Sequence, residues 1–160
     1  MGIHYIFAKN YCMRTLLSIL VLATCLICVD SNAQIRKIPS TVTEALKAQY
    51  PKAESIEWSD KITGFAASFT EGDKKKVAFY KNDAKWERTE EEISFDDLPG
   101  EVKEAKEKSK YSEWENGVVH KIILPGDKVQ FRVQVVKSEI QKKNLYFDPN
   151  GKMLKDKITL

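Results

Sequence analysis

The side chains best suited to chemistry in this sequence are His120, the acidic run Glu87, Glu90, Glu91, Glu92, Asp96 and Asp97, and the turn residues Asp83, Asp148 and Asn150. A neutral imidazole could act as a general base near pH 7. His120 lies in Val118-Val119-His120-Lys121-Ile122, with no Ser or Asp in register to be activated or to orient it. It reads as a strand histidine. The acidic run could hold a cation, but strand alternation sends its members to opposite faces. It reads as a solvated edge strand and linker whose charges deter strand-to-strand aggregation. Asp83, Asp148 and Asn150 supply too few oxygens, in turns too tight for a calcium loop. There is no glycine-rich phosphate loop, His-Glu-x-x-His or nucleophile elbow. The expectation is a protein that is not an enzyme and has no catalytic residue, cofactor or metal ligand.

The elements that position these residues begin after a leader. Lys9 and Arg14 precede an apolar run opening at Leu16-Leu17-Ser18-Ile19-Leu20 and extending to Val29, and Ser31-Asn32-Ala33 supplies small residues for cleavage. Residues 1–33 read as a secretory signal peptide, with Gln34 as the mature N-terminus. Thr15 to Val29 is shorter than the roughly 20 residues that span a bilayer, so no membrane span is expected after cleavage. Leu22-Ala23-Thr24-Cys25 offers a rival, lipidation at Cys25, although Thr24 departs from the Gly or Ala usual before that cysteine. The expected location is periplasmic or secreted.

Cys12, Cys25 and Cys28 all fall within this leader, so the exported chain contains no thiol. It must fold on an apolar core without disulfides, and thiol catalysis and zinc–thiolate chemistry are excluded. Removing Lys9, Arg14 and Asp30 with the leader lowers the net charge from +3 to +2. Such a balance gives no drive towards nucleic acid.

The remaining sequence repeats itself. FYKNDAKW, Phe79 to Trp86, is echoed by YFDPNGKM, Tyr146 to Met153, and Ile38-Pro39-Ser40-Thr41-Val42 by Leu98-Pro99-Gly100-Glu101-Val102. Val42, Ala45, Leu46 and Tyr50 share one side of a helix near 40–50, with Ser40 as N-cap and Pro51 ending it. Val102 and Ala105 mark a second, thinner helix with Asp97 as a possible cap. After each helix come runs with a period of two: GFAASFT, KKVAFYK and WERTEEEI, then VVHKIIL, KVQFRVQVV, IQKKNLYFD and KMLKDKI. The separators between them carry hairpin chemistry. The expected fold is α+β: two tandem units, residues 34–95 and 96–160, each a helix packed on a roughly four-stranded antiparallel sheet.

The Ile/Leu-Pro openings, the short helix, Tyr50-Pro51 and the aromatic-rich strand before Asn150-Gly151-Lys152, behind a signal peptide, resemble the PepSY-like proteins of Gram-negative secretomes. The resemblance covers about Ile38 to Ile158. That group is similar in fold to the beta-lactamase inhibitor protein, which has tandem helix-plus-sheet units. Ala84 stands where unit one would have a turn glycine, and Lys110-Tyr111 replaces the Tyr-Pro pair in unit two. The resemblance implies an exported, non-catalytic protein that binds or restrains another, and it transfers no contact residue.

Strand alternation supplies candidates of its own. Val129, Phe131, Val133 and Val135 should lie beneath a helix, with Gln130, Arg132 and Gln134 opposite. Leu145 and Phe147 oppose Tyr146, and Val77 and Phe79 are expected to oppose Tyr80. If both helices cover one side, the open face carries Tyr80, Arg132, Tyr146, Gln130 and Gln134, joined by Trp86 if it too is exposed. Tyr and Arg on an open sheet match the composition of protein-binding patches. The expected partner is a protein or peptide. The rival is a small-ligand or cation-binding envelope protein with a pocket between the two units.

Overall fold

The computed structural model describes residues 36–159; the expected leader, with Cys12, Cys25 and Cys28, and Gln34 lie outside them. Helix α1 spans Ser40–Gln49. Its Val42 and Leu46 are fully buried, each stabilising the fold by roughly 1.5–3 kcal/mol. The N-cap position is Pro39 rather than Ser40, and no side chain caps it. The Pro39 carbonyl accepts from the amides of Val42 and Thr43, and Tyr50 N–H closes the last turn on Leu46 O before Pro51. Strands β1 (Glu54–Lys61), β2 (Gly64–Glu71), β3 (Lys74–Lys81) and β4 (Trp86–Ile93) follow as hairpins.

A 3-10 turn, Phe95–Asp97, leads into helix α2, Gly100–Glu107. Asp97 does not cap α2. Ser94 and Asp97 form a reciprocal capping box on the 3-10 turn instead. Strands β5 (Glu115–Leu124), β6 (Lys128–Val136), β7 (Lys142–Phe147) and β8 (Met153–Ile158) complete the described chain. Among the described residues no helix is long and apolar enough to cross a membrane.

All eight strands form one antiparallel sheet in the order β1 to β8. This corrects the expected α+β pair of tandem units. β4 does not end a first sheet; it pairs with β5 from Thr89–Ile93 to Val119–Ile123. The architecture is mostly β, with two short helices on a continuous sheet. Two separate four-stranded sheets would leave the facing edges of β4 and β5 with unpaired amides and carbonyls, and fusing them satisfies both. The acidic run is accordingly no solvated edge: β4 is central, and Glu90 and Glu91 are buried.

The core lies between the sheet and the helices in two clusters. Val42 and Leu46 of α1 pack on Phe65, Ala67, Phe69, Ala78 and Tyr80. Val102 of α2 packs with Tyr111, Val119, Phe131, Val133, Val135, Leu145 and Phe147. Cross-strand register carries Ala78 through Thr89 and Ile123 to Val129, so both clusters occupy the same side of the sheet. The other side carries no helix among the described residues. Trp58 and Trp86 pack against the first cluster and Trp114 against the second.

The two similar corners differ in strain. Gly151, after Asn150, adopts φ +80°, where a Cβ would overlap the Glu101 carbonyl of α2. In the earlier corner the same left-handed conformation falls to Ala84, at φ +64°, which a residue with a Cβ adopts poorly.

Candidate functional site

The helix-free face is built by alternate residues of every strand, and its centre is ionic. The guanidinium of Arg88 donates to Glu90 Oε1 and that of Arg132 donates to Glu90 Oε2, both at 2.8 Å. Glu90 is 7 % exposed. Burial pushes its carboxyl towards a higher pKa, but the hydrogen bond from Arg88 and the positive charges of Arg132 and Arg88 outweigh this, leaving it below the usual range. The Arg88 guanidinium also lies 3.7 Å from the centre of the Phe79 ring, a cation–π contact that holds both side chains.

Ile122 stands on β5 between Glu90 and Gln130 in register, and is only 3 % exposed. One row further along the strands, Glu92, His120, Arg132, Tyr146 and Lys155 are successive cross-strand neighbours from β4 to β8. The Lys155 ammonium lies 4.3 Å from the Tyr146 ring centre. Arg132 thus touches Glu90 and borders Tyr146, which places an ion pair and an aromatic ring in one patch.

His120 Nδ1 is buried without a hydrogen-bond partner. Desolvation first, then the nearby Arg132 charge, lowers its pKa, against smaller opposing effects from Glu90 and Glu92. The imidazole therefore stays neutral around pH 7. Its cross-strand neighbours on this face are Glu92 and Arg132.

Four of the six candidate residues share this face: Gln130, Arg132, Gln134 and Tyr146. Tyr80 and Trp86 do not. Tyr80 is 2 % exposed within the α1 cluster, its hydroxyl bonding Gln49 Oε1 at 3.3 Å, and Trp86 donates from its indole to Thr89 Oγ1 at 3.0 Å on the same covered side. The parity of β3 is the reverse of the one expected. In KVAFYK both Val77/Phe79 and Ala78/Tyr80 are plausible core pairs, and the larger amphipathic Tyr80 fills the space under α1 while Phe79 faces out to Arg88. Phe79, Arg88, Glu90 and His120 are the members that sequence reasoning missed. Arg88 and Glu90 at a spacing of two, on one face of a strand, were the available signal.

On the covered side, Glu91 is bound by Lys74 at 2.7 Å and approached by Lys76 at 3.8 Å. A cleft of about 410 Å³ opens there, lined by Lys74, Glu91, Ile93, Asp97, Pro99, Lys121 and Phe131. Among the described residues, no three His, Cys, Asp or Glu side chains converge as a metal-binding group.

No family model matches the sequence, and no curated protein matches it. Solved structures do. A BLIP-like protein from Bacteroides fragilis is 28% identical with a TM-score of 0.71, the alignment covering 81% of this chain and 92% of that one. A predicted periplasmic protein from Bacteroides eggerthii is 26% identical, with a TM-score of 0.70 over 76% of this chain and 89% of that one. A DUF2874 family protein from Bacteroides uniformis is 23% identical, with a TM-score of 0.71 over 76% and 90%. The chain is therefore similar in fold to BLIP-like and DUF2874 proteins of Bacteroides, across nearly the whole length of each.

Proposed function

We propose that this chain is an exported, non-catalytic binding module that holds a protein or peptide on the helix-free face of its sheet. The observation that carries this reading is the buried Glu90, held by Arg88 and Arg132 between Phe79 and Tyr146. Aromatic and arginine side chains fixed in advance lose little entropy on binding, which is the property of interface anchors. The BLIP-like and predicted periplasmic descriptions of the structural relatives support a binding module and export.

The test is affinity capture from an envelope fraction, followed by identification of the captured protein and measurement of the purified complex. Substituting Arg132 and Tyr146 together with alanine should abolish capture while leaving the circular dichroism unchanged. Undiminished capture would refute the assignment of the face. The rival small-ligand reading would use the cleft beside Glu91. That carboxylate is already neutralised by Lys74 and Lys76, which argues against a cation there. A ligand bound in the cleft would raise the thermal midpoint with concentration.

A further inference from the structure

The sheet is open, so β1 and β8 each have an outer edge with no partner among the described residues. The two edges differ. β1 is interrupted between Glu54 and Glu57, where Ser55 takes φ +52°. Bulges of this kind blunt an edge against further pairing. β8 has its irregularity at the end facing Phe147, and runs regularly from Lys155 to Ile158 against β7.

The direction of its free groups follows from one hydrogen bond. Thr159 N–H donates to Lys142 O at 3.0 Å, so its main chain points inward. Alternation then turns the Lys157 and Lys155 main chain inward and the N–H and C=O groups of Asp156 and Ile158 outward. Ile158 is 69 % exposed. The edge is regular, accessible and available for a ninth strand.

Charge selects what that strand can be. On the helix-free face, register places Lys128 and Arg132 on β6, Lys142 on β7 and Lys155 and Lys157 on β8. No carboxylate of these three strands shares that side. Asp156 points to the covered side, where it accepts from the buried Tyr111 hydroxyl. Edge lysines repel a second β8 and most ordinary strands. An acidic strand is attracted.

We propose that β8 accepts an extended acidic segment of a partner protein by strand addition. Its main chain pairs with Asp156 and Ile158, and its carboxylates face Lys155 and Lys157 on the helix-free side. This rests on the reading of that face as the binding surface, and it names the partner's chemistry and its mode of attachment.

A capped nine-residue peptide alternating Glu and Val is the probe, with a Lys–Val peptide as control, followed by amide chemical shifts of the full exported chain. Saturable shifts from Lys155 to Thr159 and across Tyr146 are expected for the Glu peptide alone, weakening as salt rises. Ile158→Pro removes an outward N–H while sparing the ladder to β7, and should weaken binding at least about tenfold, or 1.4 kcal/mol. A Glu peptide N-methylated at its edge-facing amides should fail on the unaltered chain. Lys155→Glu with Lys157→Glu should reverse the peptide preference. Shifts confined to Arg88, His120 and Arg132 would overturn strand addition while leaving the face as the binding surface. Shifts nowhere, at millimolar peptide, would overturn strand addition too, and the capture experiment then decides the face alone. Edge shifts that grow with protein concentration without peptide would show a second copy paired at the β8 edge and overturn the acidic-partner assignment.

Discussion

The guanidinium of Arg132 on β6 reaches Glu90 on β4 at 2.8 Å, passing over β5. This contact ties the strands beneath α1 to those beneath α2 on the side that neither helix covers. Its energetic weight comes from burial, because a charged hydrogen bond partner lost from a buried site leaves the other group stranded. Glu90→Gln should lower stability by about 2 kcal/mol, measured by urea denaturation at pH 7.

Acid should act on the same patch. Glu90 ionises below its ordinary 4.5 in the folded chain, so the unfolded state takes up its proton first. Its contribution is complete above about pH 4.5 and is lost as pH falls through the lowered folded value. His120 has the same sign: its folded pKa lies below 6.5, so stability falls once pH drops under 6.5. Stability measured between pH 7.5 and 3.5 should decline in both windows. His120→Gln should flatten the first and Glu90→Gln the second.

The two similar corners predict opposite outcomes. Gly151→Ala forces a Cβ onto the Glu101 carbonyl at positive φ and should cost about 2 kcal/mol or more. Ala84→Gly relieves the strain at φ +64° and should be neutral or stabilising by up to about 1 kcal/mol. Thermal midpoints of the two variants would separate them.

Tyr80 belongs to the core beneath α1 and not to the helix-free face. Tyr80→Ala should destabilise by about 3–5 kcal/mol, whereas Tyr80→Phe loses only the Gln49 hydrogen bond, about 1 kcal/mol. Partner affinity measured on the folded Tyr80→Phe variant should equal that of the unaltered chain.

Much of the strand layout was legible because runs such as FAASFT and VQFRVQV carry a period of two and the corners carry Gly72, Gly126 and Gly151 at positive φ. The Ile/Leu-Pro openings likewise located both helices. What stayed hidden depends on contacts distant in sequence. Glu87 to Glu92 looked like a charged edge because the arginine that neutralises Glu90 from β6 is 42 residues away, and a local pattern cannot show that β4 is central. The face of Tyr80 was hidden for a different reason: Val77/Phe79 and Ala78/Tyr80 are both apolar, so alternation fixes two faces without saying which is inside. Gln130, Arg132 and Gln134 could be assigned to one face because Val129, Phe131, Val133 and Val135 alternate with them along β6, and Tyr146 because it stands between Leu145 and Phe147.

The most direct measurement is the dissociation constant of the purified complex for two double variants, one on each side of the sheet. Arg132→Ala with Tyr146→Ala should weaken binding at least about a hundredfold, near 2.7 kcal/mol, while Lys47→Ala with Glu104→Ala on the helices should change it less than about threefold. Loss of affinity in the helix pair, with the sheet pair unaffected, would contradict the account.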